Sequence, residues 1–155
     1  MTNIELARRT IGAIRSLGVT DFCVCAGSRN APLLAVLGKT QQIKTYTFVD
    51  ERSAAFFALG VGKRLGRPAC VVTTSGTAVA ELLPAAIEAH YSGVPLVLLT
   101  ADRPARFRGT GAPQSIDQRA IFGIHACTRI DDWDGTGTQP QRHELDMAAY
   151  RRRLK

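Results

Sequence analysis

No run of about 20 apolar residues, the length that crosses a bilayer, occurs in the sequence, so no membrane span is expected. The opening MTNIELARRTIGAIRSLG lacks the separate basic and apolar regions of a secretory signal, and reads as an amphipathic helix capped by Thr2 or Asn3. A zinc-type C-x-x-C pair is missing too. Cys23, Cys25, Cys70 and Cys127 each lie in an apolar run and read as reduced packing thiols, the first two on one face of a strand. These absences point to a cytoplasmic chain with no metal ligands of its own. No internal repeat or low-complexity segment is visible. Nor is there a basic helix interleaved with base-stacking aromatics, so the net charge of +7 does not read as a nucleic-acid signature. Arginines spread along loops suit small carboxylates and phosphates, which the guanidinium fork grips with two hydrogen bonds.

What is present has the size and hydrophobic content of one soluble domain with a core: 155 residues, 45 % hydrophobic and 21 % charged. Apolar strand-like runs at 21–26, 43–49, 69–75 and 95–101, with a further one at 125–130, alternate with helical stretches. Those stretches are APLLAVLGK, DERSAAFFALGVGKRLG and GTAVAELLPAAIEAHYSG, the last two ending near Gly66 and Gly93. Alternation of this kind with uniformly apolar strands predicts a three-layer α/β/α sandwich around a parallel sheet. Residues 1–130 form this domain, and 131–155 read as a linker with a short basic helix. His90, His125 and His143 share no common spacing, and Trp133 reads as packing.

Ligands of open parallel sheets bind beyond the carboxyl ends of the strands. Four segments emerge there: AGSRN, DER, TSGTA and ADRP. In the first, Arg29 and free amides could clamp an anion, or Ser28 or Asn30 could simply cap a helix. In TTSGTA, Gly76 permits close backbone approach and Ser75 or Thr77 can cap. Arg103 is either paired with Asp102, solvated, or held for a ligand by the stiff exit at Pro104. Glu51, beginning an apolar helix, either complements the helix dipole for about 0.3–1 kcal/mol or does chemistry.

Taken together, AGSRNAPL, FVDERSAAFFALG, TSGTA, PAAIEA, GVPLVLLTADRP and GAPQSIDQ resemble the pyrimidine-binding domain of thiamine diphosphate enzymes. The resemblance runs from Ile4 to Cys127 and is strongest to the menaquinone-biosynthesis branch, which decarboxylates 2-oxoglutarate and adds the product to isochorismate. It implies that Glu51 is the catalytic acid, hydrogen-bonded to N1′ of the cofactor's aminopyrimidine. Gly27, Ser75, Gly76 and Thr77 would line the cofactor pocket, and Ser28, Arg29, Arg103 and Gln114 would meet substrate. The resemblance also implies that Mg²⁺ and the diphosphate are held by a further domain, since no GDG…N signature occurs in this sequence, and that the chain works as a homo-oligomer or with such a partner domain. Ala26, Glu81, Arg106, Gly109 and Pro113 depart from the family's usual residues. A subunit of a split 2-oxo acid decarboxylase and a non-catalytic assembly module are the alternative readings.

Overall fold

The computed structural model describes residues 2–126. Cys127, Trp133, His143, the expected linker and the expected terminal helix lie outside them. Thr2, rather than Asn3, caps helix α1 (Asn3–Ser16): its hydroxyl accepts from the Glu5 amide, and the Glu5 carboxylate accepts from the Thr2 amide. There follow β1 (Asp21–Cys25), α2 (Ala31–Leu37), β2 (Lys44–Phe48), α3 (Glu51–Leu65) and β3 (Ala69–Thr73). The series closes with α4 (Thr77–Ala80), α5 (Leu83–Ser92) and β4 (Leu96–Thr100). Gly66 and Gly93 end α3 and α5 in the left-handed conformation, as the sequence predicts.

The four strands form one parallel sheet in the order β2-β1-β3-β4. Helices α1 and α2 cover one face, packing Ile11, Ile14 and Leu37 against Phe22, Val24 and Val72. Helices α3 and α5 cover the other, where Ala54, Ala58, Leu82 and Ala85 meet Cys23, Cys25 and Val71. Cys23 and Cys25 therefore share a face, and burial pushes their thiols up to about 12 and about 11. The three layers are those expected.

Three local expectations are corrected. The strands are not uniformly apolar and covered: β1 and β3 are buried throughout and β4 is half-buried, while β2 is an edge strand whose Lys44, Thr45 and Thr47 face solvent. The stretch from Gly76 to Gly93 is two helices, because Pro84 cannot donate to the preceding turn and so opens a new helix instead of continuing the old one. Finally, His125, the first residue of the strand expected over 125–130, belongs to a 3-10 turn, Gly123–His125; 127–130 lie outside the described residues.

At the amino rim of the sheet the structure holds a polar cluster. Asp21, 2 % exposed, accepts hydrogen bonds from Thr20 Oγ1 (2.9 Å), Tyr46 Oη (3.1 Å) and Arg67 Nη2 (2.6 Å). Burial alone would raise this carboxyl, but the bonds from Thr20, Arg67 and Tyr46 outweigh it and hold it below its ordinary value. Since the folded-state value is the lower one, the stabilisation is complete above the unfolded value near 3.8 and is lost as pH falls through the folded value. Breaking a fully buried pair costs about 3–5 kcal/mol. The Arg67 side chain is 36 % exposed, so Asp21→Asn is expected to cost about 2 kcal/mol at neutral pH. The gap between variant and parent should narrow as pH falls below the unfolded value near 3.8. Urea denaturation of both proteins across that range checks the sign and the size.

Candidate functional site

The strand order reverses between β1 and β3, and ligands of such sheets bind in the crevice at that switch point. From β1 the chain passes to α2 on one face; from β3 it passes to α4 and α5 on the other. The two exits touch. A Cβ added to Gly27 would lie 2.5 Å from Thr74 Cβ and 2.7 Å from Thr74 Oγ1, so only glycine fits there. The exit of β1 is closed by Asn30, which is fully buried. Its Oδ1 accepts from the Gly27 amide (2.9 Å) and its Nδ2 donates to the Cys25 carbonyl (2.8 Å). Asn30 thus braces the turn rather than capping α2. Ser28 and Arg29 are presented on this braced turn, both exposed, and make no hydrogen bond or ion pair among the described residues.

From β2 the chain enters α3 through Asp50 and Glu51. Asp50 is the cap: its Oδ1 accepts from the Ser53 amide at 2.7 Å. Glu51, half-buried in the first turn, has no side-chain hydrogen bond among the described residues. Its carboxylate lies near the end of β1: burial, then the charges of Glu51 and Asp50, push the Cys25 thiol up. The start of α3 is therefore capped by Asp50, and Glu51 is not needed for that task.

The exit of β3 supplies Thr74, Ser75 and Gly76, all buried. Neither Ser75 nor Thr77 caps α4; Gly76 occupies the cap position with φ +85°, and Thr77 is exposed. Thr74 Oγ1 and Ser75 Oγ are buried without a hydrogen-bond partner among the described residues. Beyond β4, Asp102 does not pair with Arg103. Its Oδ1 accepts from Arg103's own amide (2.7 Å) and its Oδ2 meets Arg108 Nη2 (3.4 Å). The Arg103 guanidinium stands 5.5 Å from the Phe107 ring centre, with its Nε buried and unpartnered among the described residues. Gln114, exposed at φ +55°, packs its backbone against Gly76. Among the described residues no hydrogen bond or ion pair joins Ser28 or Arg29 to Arg103; what unites them is the rim. A cleft of about 390 Å³ between Arg108–Gly109 and Ser115, Ile116, Asp117 and Arg119 is lined by none of the residues expected in the site.

Residues 4–121 match the family described as thiamine pyrophosphate enzyme, N-terminal TPP binding domain. The chain belongs to that family. Proteins named 2-succinyl-5-enolpyruvyl-6-hydroxy-3-cyclohexene-1-carboxylate synthase are similar to it. The one from Bdellovibrio bacteriovorus is 50 % identical over 131 residues, covering 84 % of this chain and 25 % of the relative. That from Akkermansia muciniphila is 57 % identical over 111 residues, 72 % of this chain and 21 % of the relative. That from Renibacterium salmoninarum is 47 % identical over 151 residues, 96 % of this chain and 27 % of the relative. The chain thus spans about a quarter of the length of the curated relatives it matches.

The rim fits the pyrimidine of the thiamine pyrophosphate family's cofactor on its own geometry. A carboxylate and two buried hydroxyls, none with a hydrogen-bond partner among the described residues, suit a flat polar heterocycle. Among the described residues no three His, Cys, Asp or Glu side chains group as a metal would need, and no helix is long and apolar enough to cross a membrane.

Two features escaped the sequence reading. His90 and His125, without any common spacing, meet edge to face with ring centres 5.4 Å apart. Gln118 binds backbone groups on two strand exits, as described below. Pairings between residues this far apart in sequence leave no periodic signal.

Proposed function

We propose that this chain is the pyrimidine-binding part of an enzyme that decarboxylates 2-oxoglutarate and joins the remaining unit to isochorismate, as in menaquinone biosynthesis. The observation carrying this reading is the division of labour at the start of α3: Asp50 caps, which leaves the Glu51 carboxylate for a ligand. Thiamine diphosphate, when bound, supplies the electron sink that decarboxylation of a 2-oxo acid requires. Glu51 holds a proton for N1′ of the pyrimidine ring, a task a carboxyl performs and an amide does not. Gly27, Ser75, Gly76 and Thr77 line the ring's pocket. Ser28, Arg29, Arg103 and Gln114 orient the carboxylates of the two substrates, and the unpartnered Arg103 Nε supports that role.

We assign Mg²⁺ and the diphosphate to a separate diphosphate-binding domain. Phe56 of α3, 43 % exposed, and Phe57, 41 % exposed although its ring packs on Tyr46 and Phe48, support contact with such a domain or with a second copy of the chain. The buried, unpaired thiols of Cys23, Cys25 and Cys70 support a cytoplasmic location.

The test is a graft. Residues 4–121 replace the matching segment of the Bdellovibrio relative, which is half identical to this chain over the matched residues. The expected result is turnover of 2-oxoglutarate with isochorismate within about tenfold of the parent enzyme. A folded graft that binds thiamine diphosphate and yields no product from this pair would refute the substrate assignment.

A further inference from the structure

After β4 the chain forms a strap, residues 109–118, that returns to the rim. Its last side chain, Gln118, reaches two strand exits at once. Oε1 accepts from the Gly76 amide at 2.9 Å, and Nε2 donates to the Ala101 carbonyl at 2.9 Å. The orientation of this amide is dictated by its partners, since a backbone N–H only donates and a carbonyl only accepts. Four residues earlier the strap backbone rests on Gly76. A Cβ there would stand 3.0 Å from Gln114 Cα and 3.2 Å from the Gln114 carbonyl oxygen. Gln114 itself has φ +55°, a left-handed conformation that is unfavourable for a non-glycine residue and persists only where the surroundings hold it.

We propose that Gln118 is the positioning residue that fastens this strap across the exits of β3 and β4 and so presents Gln114 to a carboxylate-bearing substrate. The part played by Gln114 rests on the function proposed above. Only a side chain that both accepts and donates, at the length of glutamine, bridges the two backbone groups. Gln118→Ala removes both bonds. Gln118→Glu keeps the shape, but its carboxylate opposes the Ala101 carbonyl; once protonated, it can donate to that carbonyl again.

The experiment has two arms. In the 155-residue chain, amide hydrogen exchange at Gly76 is expected to quicken about tenfold or more in Gln118→Ala, while Val71 and Val72 in β3 keep their protection. In the grafted enzyme, both Gln118 variants are expected to raise KM for 2-oxoglutarate or isochorismate about tenfold with kcat little changed. The Gln118→Glu defect should shrink relative to Gln118→Ala as pH is lowered towards about 5, which loss of packing alone does not produce. Unchanged exchange at Gly76 overturns the fastening. Faster exchange with unchanged KM for both substrates overturns the presentation of Gln114. An inactive parent graft would instead sink the functional reading, and the exchange arm would still decide whether Gln118 fastens the strap.

Discussion

Glu51→Gln is expected to lower turnover of the grafted enzyme about 10²–10⁴-fold, the range a positioned acid or base contributes. Its stability should fall by no more than the helix-dipole contribution of about 0.3–1 kcal/mol. The asymmetry follows from the start of α3. Capping is carried by Asp50, whose carboxylate accepts the Ser53 amide, so Glu51 can lose its charge without leaving a backbone donor unsatisfied. Glutamine fills the same space and still approaches a ring nitrogen, but it has no acidic proton to share. Asp50→Asn is the control, because asparagine caps about as well as aspartate and should be mild in both respects. A Glu51→Gln enzyme that turns over normally would return Glu51 to the role of a dipole-complementing residue.

The second large effect is expected at Gly27. An alanine Cβ there would lie 2.5 Å from Thr74 Cβ, a separation that repulsion forbids, so one of the two turns must move. Neither moves easily. The Gly27 amide is held by Asn30, and Thr74 lies between buried Thr73 and Ser75. Gly27→Ala is expected to cost about 3 kcal/mol and to weaken thiamine diphosphate binding in the graft more than tenfold. Thr74→Ala should rescue poorly, since it keeps the Cβ in conflict, whereas Thr74→Gly removes all three clashing atoms. Denaturation midpoints and cofactor titration of the single and double variants check this. A Gly27→Ala protein within about 0.5 kcal/mol of the parent would mean that the rim is more yielding than its geometry implies.

Local chemistry was the legible part of this fold. Continuous apolar runs such as ACVVT declared β3, Thr2 announced a helix start, and Gly66 and Gly93 announced helix ends, because each signal lies within a few residues of what it specifies. The break at Pro84 was also local, yet the apolar spacing continued across it and masked the stop. What stayed hidden was pairing over distance. Asp21 and Arg67 lie 46 residues apart, and Gly76 and Gln118 lie 42 apart; nothing in either segment names its partner. At the site, residue types and the carboxyl rim were readable from motif and topology. The bracing by Asn30 and the contact of Gly27 with Thr74 were not, because they depend on how two loops meet.

Whether Glu51 acts on the cofactor or on its helix is decided by exchange of the thiamine diphosphate C2 proton for deuterium, followed by NMR in the grafted enzyme. The prediction is exchange at least about 10²-fold slower in Glu51→Gln than in the parent, with Asp50→Asn close to the parent. Exchange in Glu51→Gln within about twofold of the parent would contradict the central claim.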